Sequence, residues 1–419
     1  MSKPAPIAII GGGPCGLTFA RLLERAGVDY VVFERDVSPE PKSHHLGGTL
    51  DLHVGTGLTA LDATGLRDAF EKLARHDAAV FTVQDARGGN LFVAPAGDGD
   101  NDRPEIDRHQ LRTLLLDSVP AERIRWGKTL AAVERDDGCA EPGAKGWVLR
   151  FADGGSERGF RLVVGADGAW SAVRPLITPA KPRYSGKTMF EGRLTPPNNP
   201  QYAAAVEMVG PGNSAAMGAG RALFVQQMGD ATYRVYAGVE GPETAPGGAL
   251  DFAADPETAR AALLALFADW APHLRAFITH AEPPWRVWPL YTLEADAFAG
   301  PWTRAPGVTL LGDAAHLALP NGEGVNAAML DALRLFECLA AELGGDGDGG
   351  MRVEKAGEEE DDDDAAVERA IVAYEAEMRE RAKEHVADGI MMLDMMYSAD
   401  GAERMIAMFT QFAGEAGQS

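Results

Sequence analysis

The sequence contains very little cysteine: only Cys15, Cys139 and Cys338 occur among its 419 residues. No two of them have the CxxC or CxxxxC spacing, which excludes a dithiol reductase and a zinc finger. So few cysteines fit a reducing compartment. Cys15 is predicted at the start of a helix, where the pKa of a thiol can fall, although a small residue filling a tight position is the favoured interpretation.

Long apolar runs and positive charge are also scarce. There is no run of about 18 apolar residues, and no apolar leader precedes the first predicted strand, so a cytoplasmic protein without a membrane partner is expected. The 39 Lys and Arg residues against 62 Asp and Glu residues give a net charge of −23, which disfavours nucleic-acid partners. An apolar content of 46% is that of a globular protein, and the length suffices for two lobes.

Several common kinds of side-chain chemistry are missing. The sequence has no Gly-x-Ser-x-Gly elbow and no His/Asp/Glu cluster with metal-ligand spacing, so neither a protein nucleophile nor a metal site is predicted. No catalytic side chain is therefore assigned. Only one Gly-x-Gly-x-x-Gly follows a predicted strand, which excludes a second permanent dinucleotide domain.

That one glycine motif lies in residues 7–16, where an apolar strand runs into a glycine turn and then a helix. Glu34 closes the next apolar strand, which completes the pattern of a dinucleotide-binding βαβ unit. Gly11 permits the tight turn, Gly13 lets the backbone approach a pyrophosphate, and Gly16 lets the helix pack closely. The helix start offers free N–H groups to phosphates, and Glu34 can bind a ribose diol. An ordinary βα turn is the alternative, but it leaves Glu34 unexplained.

Two further predicted strands end in acidic turns. Gly165-Ala-Asp-Gly168 places Asp167 at a strand end, where open α/β sheets bind ligands. Asp313 follows a second strand, and a Pro/Gly loop and a helix starting near Gly324 come after it. Each segment alone could be a polar turn. Together they favour non-covalent FAD, with Asp313 on the ribityl hydroxyls and the helix start stabilising negative charge on the reduced ring.

These motifs carry a resemblance to a known family. Residues 11–16 with Glu34 and Arg35, residues 165–168 with Ser171 and Arg174, and Gly312-Asp313 resemble the class A flavoprotein monooxygenases, which have the para-hydroxybenzoate hydroxylase fold. Within that family, residues 47–53 and 104–112 resemble most the flavin-dependent tetracycline-inactivating monooxygenases. The resemblance spans residues 5–340. It implies a Rossmann-like α/β FAD-binding domain, a discontinuous β-sheet substrate domain and a C-terminal bridging helix.

The resemblance also implies roles for individual residues. Glu34 would bind the adenosine ribose, Arg108 would lie along the flavin, and Asp167 with Gly168 would serve both FAD and the transient reductant NADPH. Pro320, Gly322 and Gly324 are expected near the flavin ring. The complete predicted cofactor-binding set is Gly11, Gly13, Pro14, Cys15, Gly16, Glu34, Arg35, Asp51, Arg108, Asp167, Gly168, Gly312, Asp313, Gly322, Gly324, Val325 and Asn326.

The sequence divides into five predicted segments. They are a first FAD-binding part (1–178), a substrate-binding sheet domain (179–287), a second FAD-binding part (288–343), an acidic disordered loop (344–364) and a C-terminal helical segment (365–419). In the sheet domain, strands are predicted at Met189–Leu194, Ala203–Val209, Ala222–Met228 and Thr232–Val239. The methionine-rich helix 365–399 is predicted to pack across the two lobes, and a lid or partner surface is the alternative.

Polar residues on the predicted sheet strands are the substrate candidates. They are Glu191, Arg193, Arg221, Gln227, Arg234 and Tyr236, with Gln226 as a further possibility. Strand alternation means that about half of them face away from the site, and the sequence leaves open which. Among the histidines His44, His45, His53 and His316, a structural hydrogen bond is favoured for His316 over acid–base catalysis.

The expected activity is that of an FAD- and NADPH-dependent monooxygenase. The family chemistry reduces the flavin with NADPH, adds dioxygen to give a C4a-hydroperoxyflavin, and passes one oxygen to a phenol or enol carbon of an aromatic or polyketide-like substrate. Glu191 and Arg234 stand where the tetracycline-inactivating enzymes have a glutamine and a histidine. A tetracycline, another fused-ring polyketide and a simpler phenol all remain open. The alternatives are a flavin oxidase or dehydrogenase without oxygen insertion and a non-catalytic FAD-binding protein.

Overall fold

The computed structural model describes residues 6–40, 47–89, 91–94, 103–135, 146–243, 255–299, 302–344 and 360–416. In these residues the strands are β1 (Ile7–Ile10), β2 (Tyr30–Phe33), β3 (Thr49–Asp51), β4 (Phe81–Asp85), β5 (Phe92–Ala94), β6 (Glu105–Asp107), β7 (Ile124–Arg125), β8 (Leu130–Arg135), β9 (Trp147–Phe151), β10 (Ser156–Phe160), β11 (Leu162–Gly165), β12 (Arg183–Leu194), β13 (Asn213–Gly218), β14 (Arg221–Gln227), β15 (Tyr233–Glu240), β16 (Glu282–Thr292) and β17 (Val308–Leu310).

The α-helices of the same residues follow in chain order. They are α1 (Pro14–Arg25), α2 (Gly57–Thr64), α3 (Arg67–Glu71), α4 (Arg108–Leu116), α5 (Tyr202–Met208), α6 (Pro256–Leu266), α7 (Pro272–His280), α8 (Asp313–His316), α9 (Gly324–Leu343), α10 (Glu360–Met396) and α11 (Gly401–Ala416). None of the described helices combines the length and apolarity needed to cross a membrane.

A parallel sheet forms the centre of the first lobe. Its strand order is β17-β11-β1-β2-β7, and every pairing is parallel. Strands β1, β2, β11 and β17 are buried along their whole length, which explains their continuous apolar sequences. Because all five strands run in one direction, the loops after β1, β11 and β17 leave the sheet at the same edge. The predicted α/β fold with a Rossmann-like core is confirmed.

A seven-stranded sheet, the roof sheet, forms the second lobe in the order β16-β12-β15-β14-β13-β4-β5. One face of it packs against α6 and α7 through a core that includes Phe190, Val235, Phe267 and Phe277. We call this the outer face. The start of α6 is defined by Asp255, whose side chain accepts a hydrogen bond from Thr258 N at 3.1 Å.

The structure corrects several details of the predicted roof sheet. Residues 202–208 form helix α5 rather than a strand, because their alanine-rich sequence favours a helix over the extended form. Strand β13 was not predicted. Strands β4 and β5 come from the first segment, so the sheet domain extends beyond residues 179–287. Strand β16 crosses the predicted boundary between residues 287 and 288, and it is the edge strand of this sheet beside β12.

The C-terminal helix begins earlier than predicted. Helix α10 starts at Glu360, so five residues assigned to the acidic loop are helical. Arg161 binds Asp363 at 3.0 Å and Asp364 at 2.8 Å, and acidic residues at a helix start also suit the helix dipole. The rest of the acidic loop (residues 345–359), His44, His45 and Cys139 lie outside the described residues.

Candidate active site

The glycine turn after β1 is closely packed on one side and open on the other. Gly11 has φ +110°, and a Cβ on it would lie 2.3 Å from Ala166 O. A Cβ on Gly16 would lie 2.1 Å from Gly11 O, so only glycine fits there. A Cβ on Gly13 would meet nothing within 4 Å. The turn and packing roles predicted for Gly11 and Gly16 agree with this geometry, and Gly13 borders open space as a phosphate contact requires.

Helix α1 begins without a capping side chain. Gly13 is its N-cap, and Pro14 occupies the first helical position. The N–H groups of this first turn therefore keep their hydrogen-bonding capacity for an anion. Arg112 supports the turn from α4, with Nε donating to Gly12 O at 3.2 Å and the guanidinium 3.5 Å from Asp36. Sequence reasoning did not identify Arg112, because its partners are about 80 to 100 residues away in the sequence.

Glu34 lies at the end of β2, directly beside the glycine turn. Its Oε2 accepts a hydrogen bond from Gly12 N at 2.6 Å, and its Oε1 accepts one from Asp36 N at 2.9 Å. The carboxylate is buried. Carboxylate oxygens have more than one lone pair each, so Glu34 can still accept hydrogen bonds from a diol.

Asp167 follows β11 and carries an unused acceptor. Its Oδ2 accepts a hydrogen bond from Ala172 N at 2.8 Å, but Oδ1 is buried and has no hydrogen-bond partner among the described residues. Burial raises the pKa of this carboxyl group above its usual range. Since buried polar atoms are normally hydrogen-bonded, Oδ1 marks a place where a ligand donor fits. Gly168, the next residue, has φ +77° and open space at its Cα.

Arg174 connects the loops that follow β11 and β17. Its guanidinium donates to Ala169 O, Asp313 O and Ala314 O, each at 2.8 Å. The residue is only 2% exposed. The two acidic turns are therefore held together by one buried cation, while the Asp313 side chain stays exposed beside it.

A second buried network surrounds the turn after β17. Asp331 accepts hydrogen bonds from Gly312 N at 3.0 Å, His316 Nε2 at 2.5 Å and Arg381 at 3.0 Å. Burial alone lowers the pKa of His316, but the neighbouring Asp331 outweighs it and raises that pKa above its ordinary value. The structural role predicted for His316 agrees with these contacts.

Cys15 connects the glycine turn to the start of α9. Its Sγ donates to Ala328 O at 2.9 Å, and a Cβ on Gly312 would lie 3.4 Å from the same sulfur. Burial raises the pKa of the Cys15 thiol well above its usual value, and Asp331 and Asp313 add to the shift. Cys15 is thus a packing residue with an unreactive thiol, as the favoured interpretation had it.

The segment Pro320–Asn326, which we call the Pro320 loop, leads into α9. The side chain of Asn326 is buried, accepts from His53 N and donates to Asp51 O, both at 2.9 Å. His53 lies between Asp51 at 2.8 Å and Glu323 at 3.0 Å. Burial alone lowers the pKa of His53, but the two carboxylates outweigh it and raise the pKa to about 9.

The remaining predicted cofactor residues lie around open space. A Cβ on Gly322 or on Gly324 would meet nothing within 4 Å, and Val325 is partly buried. Arg35, Arg108, Asp313 and Pro320 are exposed. Arg35 follows β2, Arg108 begins α4, and the others belong to the segment that runs from the end of β17 into α9.

The face of the roof sheet opposite α6 and α7 is the inner face. The pairings Glu191↔Tyr236, Arg193↔Arg234 and Gln226↔Arg234 place these five residues on it together. Glu191 is only 1% exposed, accepts from Trp288 Nε1 at 2.7 Å, and has its other oxygen 3.7 Å from Arg234. Four of the six predicted substrate residues, Glu191, Arg193, Arg234 and Tyr236, therefore share this face.

The prediction that Arg221 and Gln227 contact the substrate is wrong, because both lie on the outer face. Arg221 binds Asp269 at 2.9 Å and lies over the rings of Phe267 and Trp270. Gln227 donates to Tyr233 OH at 2.9 Å. Alternation along β14 points both side chains away from Gln226, which is on the inner face.

The inner face lies directly against the first lobe. Thr49 N donates to Gln226 Oε1 at 3.1 Å, and a Cβ on Gly48 would lie 2.9 Å from Tyr236 OH. Burial and Glu191 raise the pKa of Tyr236, and the positive charges of Arg234, Arg108 and Arg286 oppose that shift. Arg108 of α4 and the arginines of the roof sheet thus lie near the same phenol, which places the polar inner face beside the loops described above.

The residues present fit a dinucleotide that carries a further ring system. The uncapped helix start suits a pyrophosphate, Glu34 suits a ribose, and the buried Oδ1 of Asp167 requires a donor. The exposed Asp313 and the open glycines of the Pro320 loop border further unfilled space on the same side of the parallel sheet.

Comparisons with known proteins agree with this fit. Residues 4–191 and 286–360 match the family model described as FAD binding domain. The monooxygenase penA of Penicillium thymicola is 32% identical over 95% of this chain and 97% of its own length. The 3-amino-4-hydroxybenzoate 2-monooxygenase of Streptomyces cremeus is 31% identical over 81% of this chain and 79% of its own length.

A solved structure shares the fold. Klebsiella pneumoniae HpxO, complexed with FAD and uric acid, superimposes with a TM-score of 0.72 at 24% identity over 97% of this chain and 92% of that one. The dinucleotide for which the three loops are built is therefore FAD, and the chain belongs to the class A FAD-dependent monooxygenases.

Proposed function

We propose that this enzyme uses NADPH and dioxygen to insert one oxygen atom into an electron-rich carbon of an aromatic or polyketide-like phenol or enol. The observation that carries the proposal is the convergence of the three acidic or glycine-rich loops beneath a roof sheet with a polar inner face. Arg174 joins two of these loops, and the Ala166 backbone packs against Gly11 of the third. A surface built this way supports a cofactor below and a small substrate above.

The FAD would be held by residues from all three loops. Glu34 would bind the adenosine ribose, the start of α1 the pyrophosphate, and Asp167 and Asp313 the remaining hydroxyl groups. When bound, FAD supplies hydride acceptance from the reductant and activation of dioxygen. The described part of the chain has one glycine-rich βαβ turn, so we infer that NADPH binds transiently.

The inner face of the roof sheet would orient the substrate. It carries three arginines, Arg193, Arg234 and Arg286, against the buried Glu191, and this balance suits a phenolate, an enolate or a carboxylate. Glu191 suits a hydroxyl or N–H donor on the same molecule. The aminohydroxybenzoate in the name of the Streptomyces relative is of this chemical type. Tetracycline itself stays a prediction that rests on the motif resemblance.

His53 would contribute positive charge beside the Pro320 loop. Its imidazolium lies between Asp51 and Glu323, and the start of α9 is next to it. The helix start favours negative charge on a ring system bound at the loop, and the His53 cation offsets part of the opposing charge of Asp51 and Glu323. His53 also fixes the loop through the backbone bond to Asn326.

The test uses the purified yellow holoenzyme. Anaerobic NADPH is expected to bleach the bound flavin faster in the presence of a phenolic or polyketide substrate, and NADH serves as the comparison. Turnover under ¹⁸O₂ is then expected to place one labelled oxygen atom in the product, measured by mass spectrometry. An oxidised product without label would instead establish an oxidase or dehydrogenase, and a flavin that NADPH never reduces would refute the proposal.

A further inference from the structure

The residue that precedes the Pro320 loop contacts the C-terminal helix backbone to backbone. A Cβ on Gly389 of α10 would lie 2.8 Å from Leu319 O and 3.1 Å from Leu319 N. These neighbours are main-chain atoms, so they cannot move aside as a flexible side chain does. Leu319 is buried in a cluster with Leu393 and Tyr397 of the same C-terminal region. Leu319, which precedes the loop, can therefore lie this close to α10 only because residue 389 is a glycine.

One turn before Gly389, His385 holds the loop by its side chain. Asn321 Nδ2 lies 3.3 Å from His385 Nδ1 and 3.5 Å from His385 O. The ring nitrogen can accept this bond only when the imidazole is neutral. Burial lowers the pKa of His385 to about 4, and the neighbouring His316 contributes to this shift, so the neutral form is the stable one. Asn321 Oδ1 in turn accepts from Glu323 N at 3.0 Å.

Helix α10 is itself firmly attached to both lobes. Tyr374 donates to Leu310 O at 3.0 Å, and Arg381 binds the buried Asp331 at 3.0 Å. At its other end, Asp394 binds Lys187 of the roof sheet at 2.8 Å. The helix is thus a fixed reference for both the turn after β17 and the substrate-facing sheet.

We propose that His385 and Gly389 of α10 are positioning residues for the Pro320 loop, so that a helix outside the βαβ core sets where this loop meets the flavin; the functional part of this inference rests on the proposed function. The loop is held from two sides, by His53 of the first lobe and by α10. Moving it changes the distance between the start of α9 and the bound ring system, and with it the electrostatic stabilisation that the helix start provides.

The experiment compares FAD-loaded variants with matched neighbours. Gly389→Ala and His385→Leu are the test variants, His385→Gln restores an acceptor for Asn321, and the exposed neighbours Asp388→Ala and Glu384→Gln are the controls. The readouts are the visible absorption spectrum of the bound flavin, its midpoint potential against reference dyes, and product formed per NADPH consumed.

Both test variants are expected to retain FAD but to shift the spectrum and the midpoint potential, while the controls match the wild type. Product per NADPH is expected to fall by roughly tenfold or more, because a misplacement of about 1 Å can slow the transfer of oxygen to the substrate by about a hundredfold while NADPH is still consumed. His385→Gln is expected to recover part of the change, which a merely structural loss would not. If His385→Leu and any folded Gly389→Ala keep the wild-type spectrum and potential, the inference is wrong. Because those two readouts need no turnover, they decide it even if the proposed reaction fails.

Discussion

At the scale of single residues, Gly13 and Gly16 show how one motif carries two different constraints. The Cα of Gly16 faces the backbone of Gly11, whereas the Cα of Gly13 faces open space. The first constraint concerns the fold of the polypeptide, and the second concerns the ligand. The same substitution at the two positions therefore separates them.

Gly16→Ala is expected to destabilise the protein by about 1 to 3 kcal/mol, since the new methyl group would lie against a main-chain oxygen. Gly13→Ala is expected to leave the melting temperature of the apoprotein unchanged and to weaken FAD binding by about tenfold, since the methyl group lies where the pyrophosphate approaches. Thermal unfolding of apoprotein and fluorescence titration with FAD measure the two effects. Wild-type FAD affinity in Gly13→Ala would contradict the predicted position of the pyrophosphate.

Glu34 gives a second prediction at this scale. Glu34→Ala removes an acceptor for the ribose and for Gly12 N, and hydrogen bonds to charged groups contribute about 1.5 to 3 kcal/mol. We therefore expect FAD affinity to fall by at least about tenfold. The ratio of flavin to protein absorbance after gel filtration measures it, and the exposed Glu40→Ala is the control. A fully yellow Glu34→Ala protein would exclude this role.

His53 predicts a pH dependence. Its pKa is raised to about 9 in the folded protein, above the ordinary value of about 6.5. The stabilisation is therefore complete below the ordinary value and is lost as the pH rises through about 9. We expect FAD retention in the wild type to decline over that range, and His53→Gln, which lacks the ionisable ring, to be weaker at neutral pH and to lose this step. Parallel pH profiles for the two proteins would show that the ion pairs do not hold the loop.

At the scale of elements, the strand ends and turns that form the proposed cofactor site could be predicted from the sequence. The turn after β1 and the acidic ends of β11 and β17 follow from local patterns of glycine, acid and apolar residues. The contacts of His53 with Glu323 and of Arg112 with Gly12 could not be predicted, because they join segments that only the folded chain brings together. Helix α5 was predicted as a strand because its short alanine-rich segment lies between strands and has no clear helical or strand periodicity of apolar residues.

The two faces of strand pair β14–β15 give the element-scale prediction. Arg234→Ala is expected to raise KM or lower kcat without loss of FAD, because Arg234 lies on the inner face beside Glu191. Arg221→Ala is expected to lower the melting temperature and leave KM unchanged, because Arg221 packs on α6 and its neighbours at the outer face. Steady-state kinetics, thermal unfolding and flavin content measure these effects. Loss of FAD from Arg234→Ala would mean that the roof sheet is wrongly placed over the cofactor.

At the scale of the whole molecule, part of the large negative charge is paired with an arginine at the start of α10, where the helix packs on the first lobe. Arg161 binds Asp363 and Asp364 at the start of α10, and the three side chains are partly exposed. The double substitution Asp363→Asn and Asp364→Asn is expected to destabilise the protein by about 1 kcal/mol, and less at high salt. Thermal unfolding at low and high salt measures this, and Glu384→Gln is the control. A salt-independent loss would point to a cause other than charge.

The strand order of the two sheets has a consequence for biosynthesis. The parallel sheet places β17, at residues 308–310, beside β11, and the roof sheet places β4, which ends at residue 85, beside β13, which begins at residue 213. Neither lobe is one continuous stretch of polypeptide. Most of the chain must therefore be synthesised before either lobe can close, so a nascent fragment exposes unpaired strand edges until the later strands are available.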